Sequence, residues 1–404
     1  MESVYIVAAK RTPIGNFNGA LAPVSAPQLG ATAIKAALNQ CELSPDLIDE
    51  VIAGNVLSAG IGMGPGRQAA ILAGIPETVP AYTLNMICGS GMKTVMDAVS
   101  HIRAGEADII VACGMESMSQ APFISSNQLR QGVKMGHQMF EDSIIKDGLT
   151  DVFNQYHMGI TAENIAELHG ISREAQDAFA LASQQKAVAA IQAHGFKDEI
   201  EPINVDFRRQ QYTVELDEYP KADATLEKLQ ALRPAFNKDG TVTAGNASGI
   251  NDGASALILA SAAAVKRHNL RPLAEIVACG QAGVSPKVMG LGPVPAIANA
   301  LEKTNLALQD ITCLELNEAF AAQALGVMKG LCEQHDVDPE WLAAHTNFNG
   351  GAIALGHPLG ASGNRILTSL IYEMHRAEHT FGLASLCIGG GMGTAVILRR
   401  CDAA

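Results

Sequence analysis

Four short segments hold residue types that could do chemistry together. Cys88 sits in TLNMICGSGMKTV, where an apolar run meets Gly-Ser-Gly and then a helical pattern. A strand ending at the cysteine and a helix opening after it would put the thiol at a helix N-terminus. Unpaired N–H groups and the positive dipole end there favour thiolate over thiol. With an unperturbed pKa of about 8.5, a cysteine is scarcely ionised at neutral pH, so such placement matters for a nucleophile. Spacing alone leaves open a buried thiol at a strand end. The second segment, NFNGGAIALGHPLGASGNRIL, packs turn-forming glycines around a His-Pro pair. Proline holds the backbone of His357 extended, so the ring can be aimed as a general base; an exposed structural turn is the alternative. In the third, SLCIGGGMGTAVIL, three glycines follow Cys387. Their N–H groups could converge on an oxyanion beside a thiol fit for acid–base work. A buried cysteine before a hairpin would look the same. The fourth, NEAFAAQAL, opens on Asn317, which reads either as a helix N-cap or as a holder of water or an oxyanion.

The elements that must position these residues read as alternating short apolar strands and longer helices. The expected strands are 4–8, 51–55, 109–113, 313–316 and 383–388; helix-length patterns cover 27–39, 91–103 and 363–375. This alternation favours a layered α/β architecture. Residues 88–116 and 360–393 resemble each other. Each has Ser-Gly, a helical pattern and an apolar strand reaching Cys and Gly, and each is preceded by a strand ending in Asn, at Asn55 and Asn317. An internal duplication is expected, with Ser90–Gly91 matching Ser362–Gly363 and Cys113, after a two-residue gap, matching Cys387 as its inert twin. Residues 119–250 are more polar and read as an insertion between the halves. There 172–194 is a long helix capped by Ser172, and 208–226 is a charged loop. The small-residue run at 247–265 reads as a buried helix.

Composition sets bounds on function. The chain has 404 residues and a formal charge of −13, from 28 Lys plus Arg and 41 Asp plus Glu. That charge argues against a non-specific nucleic-acid binder but leaves room for a local basic patch. Hydrophobic residues at 48% and charged ones at 17% exclude disorder as the dominant state. The eight cysteines, at 41, 88, 113, 279, 313, 332, 387 and 401, include no C-x-x-C pair. They read as reduced thiols, with no metal site expected. No signal peptide, transmembrane run or recognised C-terminal address is evident, so the cytoplasm is the expected compartment, with no membrane partner.

Taken together and in order, the four segments resemble the thiolase family from end to end. The matching features are the nucleophile segment at Cys88, NEAF at Asn317, GHPxGxSG at His357 and CxGGGxG at Cys387. AKRTPIG near the start, GNASGINDGA at 245–254 and PKVMGLGP at 286–293 also look like thiolase. The resemblance implies a five-layered αβαβα fold of two duplicated halves with an inserted loop domain. The corresponding boundaries are 1–118 plus 251–272 for the first half, 119–250 for the loop domain and 273–404 for the second half. It implies reversible Claisen condensation of two acyl-CoA thioesters. Cys88 would carry the acyl group, His357 would activate it, and Cys387 would move the α-proton. A water held by Asn317 would bind one oxyanion with His357, and the N–H groups of Cys88 and Gly389 would bind another. No cofactor is implied, since coenzyme A arrives with the substrate.

Within the family, His157-Met158 in YHMGITAEN resembles the biosynthetic, acetoacetyl-CoA-forming branch, where this pair lines the acyl pocket. Ser248, Ala244, Phe236, Leu149, Ala319 and Phe320 would then contact pantetheine or acyl group, and Arg208, Arg209 and Lys221 are candidates for the CoA phosphates. A homotetramer is expected from the same resemblance. Two readings compete: a degradative 3-ketoacyl-CoA thiolase of broader chain length, and a non-catalytic acyl-CoA- or lipid-binding protein on this fold. The chain departs from the family in NMIC, Gly66 and Asn364. Met86 and Ile87 are expected to point along the strand, away from the chemistry.

Overall fold

The computed structural model describes residues 2–402. Its backbone is one long sheet path with helices between and outside its two halves. The first half supplies β1 (Val4–Arg11), β2 (Glu50–Gly54), β3 (Ala81–Leu84), β4 (Ile109–Ser117) and β5 (Asn251–Ser261). The second supplies β6 (Ala274–Gly283), β7 (Cys313–Leu316), β8 (Phe381–Ile388) and β9 (Met392–Arg400). Their order is β7-β8-β9-β6-β1-β5-β4-β2-β3. In each half a parallel pair, β2–β4 or β7–β8, continues into an antiparallel partner, β5 or β9.

Five layers follow from where the apolar faces are buried. Helices α1 (Ala26–Gln40) and α2 (Pro65–Leu72) cover the outer face of the first half. Helices α6 (Pro293–Leu301) and α7 (Ala321–His335) cover the outer face of the second. Between the halves lie α3 (Ser90–Ala104) and α8 (Ser362–Arg376), whose apolar stripes share one core with both sheets. Burying strands on both faces removes the alternation that marks a half-exposed strand.

A single offset of 272 residues carries Ser90 to Ser362, Ala104 to Arg376 and Ile109 to Phe381. The duplication therefore needs no gap, and Cys113 matches Ser385 rather than Cys387. The catalytic-type cysteine has Met115 as its counterpart. The paired helices meet where their first turns carry glycine. A Cβ on Gly91 would reach the Asn364 backbone N at 2.9 Å, and one on Gly363 would overlap the backbone of Met92.

The small-residue run at 247–265 is mainly strand, and only its end enters a short helix, Ala262–Arg267. Residues 251–261 form β5, buried throughout and hydrogen-bonded between β1 and β4. An apolar run with no polar face has no readable period, and its Ala and Leu content misled the helix assignment. The helix expected at 172–194 is present as α5 (Arg173–Gln192), with Ser172 Oγ accepting from the Ala175 N–H at 3.2 Å. The charged 208–226 stretch is only partly loop, since Ile203–Phe207 and Gln210–Val214 form a hairpin. No helix among the described residues is long and apolar enough to cross a membrane.

Candidate active site

Cys88 lies in a tight turn between β3 and α3, not at a strand end; β3 stops at Leu84. The Ser90 hydroxyl accepts from the Met86 N–H at 2.8 Å and donates to the Ile87 carbonyl at 2.7 Å. Asn85 Oδ1 accepts from the Ile87 N–H at 2.9 Å. These bonds hold Ile87 at φ +48°, a left-handed conformation rare for a β-branched residue. Met86 and Ile87 thus turn rather than run along a strand, and Ile87, Cys88 and Leu149 pack against one apolar cluster. The residue expected to stand clear of the chemistry is next to it.

Burial pushes the Cys88 thiol up to about 11, although the N–H groups of Gly389 and of Cys88 itself pull it back. Desolvation outweighs the helix terminus, so the resting group is a thiol that needs a base. This raise runs against the thiolate bias expected from the helix terminus.

His357 presents a ring nitrogen that could serve as a base. Its backbone N–H donates to Asn251 Oδ1 at 2.9 Å. Its Nδ1 lies 2.6 Å from Ser362 Oγ, and the Ser362 hydroxyl donates to the Pro358 carbonyl at 2.9 Å. With its one proton spent there, Ser362 must accept from Nδ1–H. Nε2 is therefore the unprotonated nitrogen, buried and without a protein partner. Burial lowers the ring to about 4, helped by the positive Arg365, so it is neutral at physiological pH.

Cys387 is buried near the end of β8, opposite Gly393. Burial and the nearby Cys88 push its thiol far above the ordinary range. The turn after it packs onto the Cys88 turn, and a Cβ on Gly89 would overlap the Ile388 side chain. Asn317 follows β7, with its N–H donating to the Ser385 carbonyl at 3.0 Å. It is not a helix cap, because α7 begins at Ala321 with Phe320 in the cap position. Both side-chain atoms, Oδ1 and Nδ2, are buried without a protein partner, as suits a group that holds a water.

Several of the acyl-pocket candidates gather around Cys387. Met158, Ala319 and Phe320 share an apolar cluster with Cys387, and Phe236 packs against it. His157 stacks on Phe236 at 4.5 Å between centroids, and its Nδ1 accepts from the Gly159 N–H at the start of α4 (Met158–His169). The Ser248 N–H donates to the Ala319 carbonyl at 2.9 Å. Ala244 is exposed in the turn between Thr243 and Asn246. Of the cationic candidates, Lys221 lines a cleft of about 680 Å³ with Tyr219 and Ile250. Arg208 and Arg209 lie at the hairpin tip, which is exposed. Sequence reasoning missed Met289, which joins the pocket cluster, and the aiming pair Ser362 and Asn251. All three lay in quoted motif segments, but nothing in their types marked a role.

The thiolase N-terminal domain model matches residues 4–263, and the thiolase C-terminal domain model matches residues 270–400. The chain belongs to the thiolase family. This thiolase is 53% identical over 401 residues to an acetyl-CoA acetyltransferase of Pseudomonas aeruginosa, covering 99% of this chain and 100% of the relative. It is 52% identical to the acetyl-CoA acetyltransferase of Cupriavidus necator with the same coverage. Among solved structures, human mitochondrial 3-ketoacyl-CoA thiolase is 46% identical with a TM-score of 0.94, covering 99% of both chains. The acetyl-CoA acetyltransferase of Syntrophomonas wolfei is 40% identical with a TM-score of 0.96, covering 99% of this chain and 100% of that one. As a thiolase the protein is an acyltransferase, and the five-layered fold is the family's.

Proposed function

We propose that this thiolase is an acetyl-CoA C-acetyltransferase, condensing two acetyl-CoA molecules reversibly to acetoacetyl-CoA and coenzyme A. The observation that supports this chemistry most is the neutral, buried Nε2 of His357, which has no protein partner, beside the mutual nearness of the Cys88 and Cys387 thiols. His357 Nε2 takes the Cys88 proton, and the sulfur attacks the thioester carbonyl. The C–S bond to CoA breaks as the acetyl–Cys88 bond forms, and the departing thiolate takes the proton of Cys387. Cys387, now a thiolate in a site that disfavours charge, is a strong base for the α-proton of a second acetyl-CoA. The resulting enolate attacks acetyl-Cys88, and His357 returns its proton to the freed sulfur. The N–H groups of Cys88 and Gly389 suit the tetrahedral oxyanion, and a water on Asn317 together with His357 suits the enolate. Splitting the reaction at a covalent intermediate predicts ping-pong kinetics. The scheme uses no metal or redox cofactor.

The short-chain preference is supported by the names of the bacterial relatives and by the side chains crowding the pocket. Met158, Met289, Phe236 and Phe320 fill the space a longer acyl chain would need. A broader 3-ketoacyl-CoA thiolase is the second reading, favoured by the likeness to the human mitochondrial enzyme. A series of 3-ketoacyl-CoA substrates decides between them: kcat/KM falling steeply beyond four carbons supports the first reading, and similar values at four and ten carbons support the second. A non-catalytic binding role fits poorly with retention of Cys88, His357 and Cys387 together.

Residues 119–250 are proposed as the loop domain that binds CoA and carries oligomer contacts. Phe123, Met135, Met139, Phe140 and Phe153 are exposed there, more apolar surface than a free monomer tolerates in one region. Burial against other copies in a homotetramer would remove it. A reducing cytoplasm suits eight free cysteines, two of which must stay reduced to work.

A further inference from the structure

Glu116, near the end of β4, is wholly buried and has no part in the scheme above. Its carboxylate is nonetheless fully used. Oε1 accepts from Asn55 Nδ2 at 2.8 Å and from the Leu57 N–H at 3.1 Å. Oε2 accepts from the Val56 N–H at 3.0 Å and from the Gly360 N–H at 2.9 Å. Three of these donors lie on the loop after β2, in the first half. The fourth lies three residues beyond His357, in the second half.

The bonds continue in both directions. The Val56 carbonyl accepts from Asn85 Nδ2 at 3.3 Å, and Asn85 Oδ1 holds the Ile87 N–H of the nucleophile turn. Val56, Leu57 and Leu359 form one apolar cluster against which Ile87 and Cys88 pack. The approach of Gly360 is close enough that a Cβ there would lie 2.6 Å from the Met115 carbonyl and 3.0 Å from Glu116 Oε2. A continuous path thus runs from the His357 loop, through one carboxylate, to the turn that carries Cys88.

We infer that Glu116 is a positioning residue that locks the His357 loop of one half to the Cys88 turn of the other. The inference rests on the proposed roles of those two residues. Four donors on one carboxylate are satisfied only by its anion, since a protonated or amide form must direct a donor at another donor. Burial opposes that anion and raises the carboxyl to about 7; the charged or titratable groups facing it are Asp252 on β5 and the Cys88 thiol. A misplacement of about 1 Å between nucleophile and base can cost about a hundredfold in rate, so a residue touching neither substrate nor reacting atom can still govern turnover.

The test combines Glu116→Gln with two readouts on the full-length enzyme. Hydrogen exchange without substrate should show faster exchange in peptides covering 55–58 and 358–362, in both halves at once, with α1 and α6 unchanged. Acetoacetyl-CoA thiolysis should lose at least about tenfold in kcat while KM stays within about threefold. If Glu116→Gln does not fold, Glu116→Asp keeps the charge but shortens the reach, and the same outcomes are expected. Unchanged exchange in either peptide, or kcat within about twofold of wild type, overturns the proposal. The exchange readout needs no activity, so a wild-type enzyme that exchanges as expected but cannot cleave acetoacetyl-CoA would fault the function and not the lock.

Discussion

Ser362 and His357 form a directed pair: the Ser362 hydroxyl donates to the Pro358 carbonyl at 2.9 Å and so can only accept from His357 Nδ1–H, 2.6 Å away. This one bond leaves Nε2 unprotonated, the nitrogen proposed to act as the base. Ser362 opens α8 and His357 lies five residues before it in the glycine-rich loop, so the pairing is built by local chain geometry.

Replacing Ser362 with alanine frees the ring to adopt either tautomer. The expected result is a fall in kcat of about ten- to a hundredfold with KM little changed, the signature of weakened base catalysis. Steady-state thiolysis of acetoacetyl-CoA checks it. A change in KM alone would show that Ser362 serves substrate binding instead.

The buried, neutral state of His357 has a consequence for acid stability. Its folded pKa of about 4 lies below the unfolded value of about 6.5. The unfolded chain therefore binds the proton first as pH falls. The ring's contribution is fully present above pH 6.5 and is lost as pH falls toward about 4, by about 3 kcal/mol at most. In His357→Asn that loss is absent. Thermal melts at pH 7 and pH 4.5 should show the variant gaining on wild type at the lower pH. Parallel shifts in the two proteins would refute the depressed pKa.

In the proposed acyl pocket Met158 clusters with Phe320 and Met289, with Phe236 packed against them. Met158→Ala should raise kcat/KM for a six-carbon 3-ketoacyl-CoA relative to acetoacetyl-CoA by about tenfold, within the 1–3 kcal/mol a hydrophobic pocket discriminates per methylene. An unaltered ratio would place the chain-length limit elsewhere.

Asn364 was a departure from the family pattern with no evident purpose. In the fold it is wholly buried between the central helices, its Nδ2 donating to the Ala112 carbonyl at 3.2 Å over the gap left by Gly91 and Gly114. Asn364→Ala should destabilise the protein by about 1–3 kcal/mol, read by denaturant unfolding, and leave kcat within about twofold. A stability loss near zero would mean the site collapses without cost.

Much of the site was legible because each catalytic segment marks itself locally. Glycine-rich turns around His357 and after Cys387 need no long-range information to be noticed. The helices 26–40, 90–104 and 362–376 were legible from their period, to within a residue at each end. Strand β5 was not, since burial on both faces erased its alternation. The N-cap reading of Asn317 failed because three residues separate it from α7, a distance that sequence cannot show. The Cys88 turn looked like a strand end because Ile87, a strand-favouring residue, is forced to positive φ by Asn85 and Ser90. Glu116 was invisible, because its partners lie in two segments 60 and 244 residues away.

The central claim is that Cys88 carries the acyl group and Cys387 acts only afterwards. Incubation with acetyl-CoA alone, followed by mass mapping of peptides, tests it most directly. One acetyl group should appear on the Cys88 peptide in wild type and in Cys387→Ala, with no acetoacetyl-CoA formed by that variant, and none should appear in Cys88→Ala. Acetyl on the Cys387 peptide, or none on the Cys88 peptide of an active enzyme, would contradict the account.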